Sequence, residues 1–124
     1  MRQRRGSAAE GRATEYLIGL GWKVIARNIE LGGVEVDLLA VDPGPPLAIV
    51  VVEVRSLRAV GFGAPEERVD RAKVGRLYRA LGALREADGL LTDVGVAAVR
   101  VDLVVVDERT GRPEIRHLRG LEPP

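Results

Sequence analysis

At 124 residues, with 46% hydrophobic and 30% charged side chains, the chain has the size of one ordinary domain and a composition far from that of disordered sequences. The absence of cysteine excludes disulfides and thiolate metal sites, so a metal ion would need oxygen ligands or the single histidine, His117, which favours hard cations such as Mg2+ or Mn2+. A formal net charge of +1 decides nothing about nucleic acid by itself; the distribution of arginine and lysine is more informative.

The N-terminus, MRQRRGSAAEGRATEYL, crowds Arg2, Arg4 and Arg5 together but lacks the continuous apolar core of a targeting segment. No later window approaches a membrane span, so a cytoplasmic protein without a membrane partner is expected. Ser7 followed by Glu10 has capping-box spacing, and Ala13, Tyr16, Leu17 and Leu20 form a helical stripe ending at Gly21; a helix from about Ala8 to Leu20 is predicted. WKVIARNIE, bounded by Gly21 and the Gly32-Gly33 pair, reads as a strand. VEVDLLAVD opens with strict alternation, DPGPP must be a turn, and LAIVVVEV returns as its hairpin partner.

From Ser56 to about Glu67, a stretch containing Gly61, Gly63 and Pro65 is expected to be a mobile surface loop beside whatever site the preceding strand carries. An amphipathic helix follows from roughly Asp70 to Ala87, with Val74, Leu77, Leu81 and Leu84 on its buried side and Gly89 as its stop. Arg68, Arg71, Lys73, Arg76 and Arg79 recur through this segment as candidate phosphate contacts, the plain alternative being a solvated helix face. VGVAAVRVDLVVVD is a second long valine-rich strand, GRPEIRHL could add an edge strand, and GLEPP reads as a tail. The expected fold is α/β: one domain over residues 1–124 with a mixed central sheet flanked by helices and tails at about 1–6 and 119–124.

Charge sits where this pattern calls for burial. Side chains two apart on a strand share a face, so Glu35 lies beside Asp37 and Glu53 beside Arg55. If the DPGPP loop closes symmetrically, Val41 meets Leu47 and Asp37 comes opposite Val51, with Glu53 as its diagonal neighbour about 7 to 8 Å away. Two carboxylates so placed repel each other unless a cation lies between them. The structural alternative is a salt bridge from Arg55 to Glu53 or Asp37 at a solvated edge of the sheet. Glu10, as the third residue of a capping box, reads on spacing alone as a structural partner of a backbone N–H.

Glu10 on the first helix, VEVDLL with Asp37, VVEVRS with Glu53 and Arg55, DRAKVGRL with Lys73, and RVDLVVV with Arg100 and Asp102 resemble, in order and spacing, the YraN-like family of bacterial proteins. That family resembles the restriction-endonuclease-like, or PD-(D/E)xK, superfamily, and within it the archaeal Holliday junction resolvases. The resemblance runs from about Gly6 to Asp107. It implies a restriction-endonuclease-like core in which Asp37 and Glu53 ligate Mg2+ or Mn2+ with the Val54 carbonyl, and Glu10 sits near the same ion, directly or through water.

It also implies catalytic roles for Glu10, Asp37, Glu53 and Arg55, and a nucleic-acid contact from Lys73; Arg71, Arg76 and Arg79 stand as further candidate phosphate contacts on the charge pattern alone. Two departures stand out: Arg55 occupies the usual lysine position and cannot act as a base, and Val36 replaces the proline that often precedes the metal aspartate. The expected activity is metal-dependent cleavage of branched or structured DNA by a homodimer; the alternative is a nucleic-acid-binding or adaptor protein that keeps the fold without cleaving.

Overall fold

The computed structural model describes residues 7–58, 70–87 and 98–123. Its elements follow the order α1 (Ser7–Gly19), β1 (Lys23–Leu31), β2 (Val34–Asp42), β3 (Ala48–Leu57), α2 (Arg71–Ala87), β4 (Ala98–Asp107) and β5 (Glu114–Leu118). The five strands form one sheet in sequence order, antiparallel except for the parallel β3–β4 pair, whose necessary crossover carries α2. The expected α/β class, a mixed sheet flanked by helices, is the one observed. The expected loop largely falls on residues 59–69 and the Gly89 stop on 88–97, both outside the described residues; Ser56 and Leu57 still belong to β3.

Alternation along β3 divides the core. Ala48, Val50 and Val52 pack with Ala9, Ala13 and Leu17 of α1, whereas Ile49 and Val51 pack with Val74, Leu77 and Leu81 of α2. Both faces of the central strands are therefore covered, and neither is wet. Leu20, assigned from periodicity to the buried stripe of the first helix, is exposed because α1 has ended at Gly19; Leu84 is only half-buried. Helix α2 begins as capping chemistry dictates: Asp70 Oδ1 accepts from Lys73 N at 3.1 Å, three residues on.

The β2–β3 register differs from the symmetric closure by two residues. Val41 pairs with Ile49 and Asp42 with Ala48, because Asp42 remains in the strand and its Oδ1 accepts from Gly44 N at 2.9 Å, starting the turn later. Since the shift is even, every side chain keeps its face. One step beyond the Leu38–Val52 pair, Asp37 comes across from Glu53 rather than Val51.

The C-terminal residues also depart from expectation. Gly120 N donates to Asp102 Oδ1 at 2.9 Å and Leu121 N to Val101 O at 2.7 Å, so the presumed tail is docked along β4 as far as Leu121.

Candidate active site

Glu53 lies near the C-terminal end of β3 on the α2 side, and its side chain is only 5% exposed. The charged end of this strand is thus inside the molecule, not at a solvated edge. Lys73, two residues into α2, reaches it with Nζ 3.1 Å from Oε2. Arg55 is on the same face, Nη1 4.0 Å from that oxygen, and half-exposed. The other carboxylate oxygen, Oε1, is buried and has no hydrogen-bond partner among the described residues. These side chains line a small cleft with Asp70, Val74, Leu77 and Leu103.

Asp37 enters from the neighbouring strand. Its Oδ2 accepts from Val54 N at 2.8 Å, a contact that ties the carboxylate to β3 at the residue following Glu53. The backbone explains how it gets there. The β1–β2 ladder passes from Arg27–Leu38 to Ile29–Val36 and leaves Asn28 and Asp37 between them outside the pairing, with Asn28 in the left-handed region at φ 54°. Around this point the packing of β2 changes: Val36 belongs to the cluster under α2, whereas Leu38 and Ala40 pack beneath α1. Asp37 thus keeps the α2 side with Leu39 and Val41, and it is Val36 that falls out of step.

Burial pushes the Glu53 carboxyl above its ordinary range, and the nearby Asp37 adds to the rise; Lys73 and Arg55 oppose it without cancelling it. A buried carboxylate with a carboxylate neighbour and an orphaned oxygen needs either a proton or a cation. The donor set is all oxygen and suits a hard divalent ion. Asp37, Glu53 and the Val54 carbonyl are the groups that would hold it.

Glu10 is buried in α1, the helix on the other face of the sheet. It is not gathered with Asp37 and Glu53: among the described residues no three His, Asp or Glu side chains stand close enough to form a ready-made metal cage. Arg71, Arg76 and Arg79 are exposed on α2. Lys73, Arg76 and Arg79 fall at i, i+3 and i+6, a shallow stripe leading outward from Glu53. The bond from Lys73 to Glu53 was not legible in the spacing, since it joins a helix to a strand twenty residues earlier. Asn28 was missed too, although asparagine is the non-glycine residue most often found at positive φ.

His117, the one imidazole available to a metal, is elsewhere. Its Nε2 lies 2.8 Å from Asp102 Oδ2 and its Nδ1 2.9 Å from Tyr16 Oη, on the α1 side. Arg100 grips Asp102 through Nε at 2.8 Å and Nη2 at 3.0 Å, and Asp42 through Nη2 at 3.0 Å. Burial pushes the Asp102 carboxyl up, but the bonds from His117, Arg100 and Gly120 N–H outweigh it and hold the group below its ordinary value. The RVDLVVV motif is therefore a structural clasp joining α1, β4, β5 and the C-terminal residues.

Fold and cleft together define an α/β protein that carries a buried glutamate beside a half-buried aspartate, two cations next to the glutamate and a basic helix stripe at one end of a mixed sheet. The chain belongs to the uncharacterised protein family UPF0102, whose pattern matches residues 9–106. This agrees with the YraN-like resemblance drawn from the motifs. A UPF0102 protein of Arthrobacter sp. (strain FB24) is 32% identical over 117 residues, covering 94% of this chain and 93% of that one. One from Mycolicibacterium vanbaalenii is 38% identical over 120 residues, covering 94% and 91%. Among solved structures, SfsA of Pyrococcus furiosus in complex with Ca2+ is similar at 15% identity and a TM-score of 0.42; the match covers 94% of this chain and 65% of that one. No helix among the described residues is long and apolar enough to cross a membrane.

Proposed function

We propose that the protein is a Mg2+- or Mn2+-dependent cytoplasmic nuclease acting on structured nucleic acid, with branched DNA as the first substrate to try. The observation that supports this reading most directly is Glu53: a buried carboxylate beside a second carboxylate, with one oxygen left without a hydrogen bond. A bound divalent ion would supply Lewis-acid polarisation of a phosphoryl oxygen and a more acidic water.

In this reading Asp37 and Glu53 hold the cation with the Val54 carbonyl. Lys73, released in part from Glu53 when the cation is present, and Arg55, permanently charged, bind and neutralise the phosphoryl oxygens as charge develops on them. Arg71, Arg76 and Arg79 hold flanking phosphates. A homodimer matches the two-fold symmetry of a four-way junction.

The test is incubation with labelled four-way junctions, flaps, single strands and RNA hairpins in Mg2+ or Mn2+. Metal-dependent cleavage by the wild type and a loss of at least about 100-fold in Asp37→Ala and Glu53→Ala is expected. A full panel left uncut removes the catalytic reading.

A second reading, a nucleic-acid-binding or adaptor protein that does not cleave, draws on the Lys73–Glu53 ion pair. At 3.1 Å it already gives Glu53 a cationic partner without a metal. In that case Asp37→Ala leaves binding unchanged, while reversing the charges of Arg71, Arg76 and Arg79 weakens it and flattens its salt dependence.

A further inference from the structure

We infer that Arg12 and Arg58, clasped by Glu108, form a binding site for one backbone phosphate of a nucleic acid, on the opposite side of the sheet edge from Arg55 and Lys73. This rests on the nucleic-acid part of the proposed function and not on cleavage.

Glu108 directly follows β4, and its carboxylate gathers three side chains, one from α1 and two from the end of β3. Oε1 accepts from Arg12 Nε of α1 at 3.1 Å; Oε2 accepts from Arg58 Nε at 3.3 Å and from Ser56 Oγ at 3.3 Å. Glu108 N also donates to Leu57 O at 2.7 Å, which fixes the carboxylate to the end of β3. Two guanidinium groups thus sit on opposite oxygens of a single carboxylate, no further apart than its width plus two hydrogen bonds.

Two positive charges against one negative leave this group with one unit of positive charge. A phosphodiester carries the one negative charge that balances it. The contacts to Glu108 use Nε of each arginine and not the terminal nitrogens, which are the atoms that form forked bonds with phosphate oxygens. Accessibility fits as well, with Arg12 and Arg58 at 49% and 64% exposure against 18% for Glu108. Stability alone gives little reason for the arrangement, since exposed pairs contribute about 0–1 kcal/mol.

Position makes the site relevant to the cleft. Arg58 lies three residues beyond Arg55, about 10 Å of extended chain. Arg55 faces α2, whereas Ser56 and Arg12 are on the α1 side. A nucleic-acid strand crossing that end of the sheet would meet Lys73 and Arg55 on one side and the Arg12–Arg58 pair on the other.

The experiment is fluorescence anisotropy of the full chain with a labelled four-way DNA junction and a labelled single strand, in Ca2+ buffer, from about 50 to 200 mM salt. For Arg12→Gln/Arg58→Gln, affinity on the order of ten-fold weaker and a slope of log K against log salt shallower by about 0.9 on duplex arms are expected. Arg12→Lys/Arg58→Lys keeps the slope. Thermal melts check folding, and Arg58→Glu, at an exposed position, serves as a second variant that must lose affinity. An unchanged slope in the Gln pair, or unchanged affinity in Arg58→Glu, overturns the site while leaving the cleft's role intact. Absence of salt-dependent binding by the wild type to either probe overturns it together with the nucleic-acid reading. A slope that depends on Arg12 and Arg58 supports it even where neither probe is cut.

Discussion

Glu53 is stabilising to no one but a cation. Its folded-state carboxyl titrates above the ordinary 4.5, first because it is buried and then because Asp37 is near. A raised carboxyl contributes stability that is fully present below the unfolded value and lost as pH climbs through the folded one. Glu53→Gln, measured in EDTA, should therefore melt close to the wild type at pH 4.5 and above it at pH 7 to 8, with the gap opening between. A gap that stays constant with pH, or a wild type that is the more stable at neutrality, would contradict the assignment. Adding Mn2+ should reverse the order by linkage: 100-fold excess over Kd contributes about 2.7 kcal/mol to the wild type and none to Asp37→Asn or Glu53→Gln. Glu10→Gln should keep most of the Mn2+ shift, because Glu10 is not gathered with the other two carboxylates.

Much of this was legible from residues alone. Alternation puts Glu53 and Arg55 on one face, and an acidic residue on the neighbouring strand, in VEVDLL, draws attention to Asp37. What alternation could not supply was depth. The covering of this strand by a helix on each face buries Glu53 while leaving Arg55 half-exposed, and it depends on α2, which comes later in the chain.

Among the elements, α2 does most to build the cleft, since it brings Lys73 to Glu53 and covers Ile49 and Val51 with Val74, Leu77 and Leu81. Leu77→Ala should cost about 2–5 kcal/mol in denaturant unfolding, as a fully buried leucine truncated between helix and sheet. Asp70→Ala should cost about 1 kcal/mol by removing the cap on Lys73 N, and should also loosen Lys73 relative to Glu53. A midpoint unmoved by either change would mean that α2 is not packed as described. Helical periodicity predicted the buried stripe of α2 almost residue for residue, because an apolar face repeats with the helix itself. The hairpin register was off by two, because it hinges on one side-chain bond from Asp42 to Gly44, which no periodicity encodes.

At the level of the whole molecule, the sheet separates two polar systems. Asp102 with Arg100 and His117 belongs to the α1 side, and Glu53 with Lys73 to the α2 side. Asp102→Asn should cost about 1–3 kcal/mol by weakening the bonds from His117, Arg100 and Gly120 N–H, with Arg100 still held by Asp42. Combined with Glu53→Gln, its effect should add to within about 0.5 kcal/mol, because the two groups share no partner. A larger coupling in a double-mutant cycle would show that the sheet transmits strain between its faces. The docking of Gly120 and Leu121 escaped the sequence for a related reason: it depends on β4 having already presented Asp102 Oδ1 and Val101 O to the returning chain.

That separation bears on how such a chain can change. The clasp on one side secures the scaffold without calling on the acidic pair, whereas the burial of Glu53 beside Asp37 works against the scaffold that carries it. Glutamine at position 53 is expected to give a sturdier protein with its fold unaltered and, under the proposed metal-binding role, to remove its affinity for hard cations. Under the proposed metal-binding role, robustness and cation affinity therefore oppose each other at position 53, while the clasp across the sheet stands apart from both.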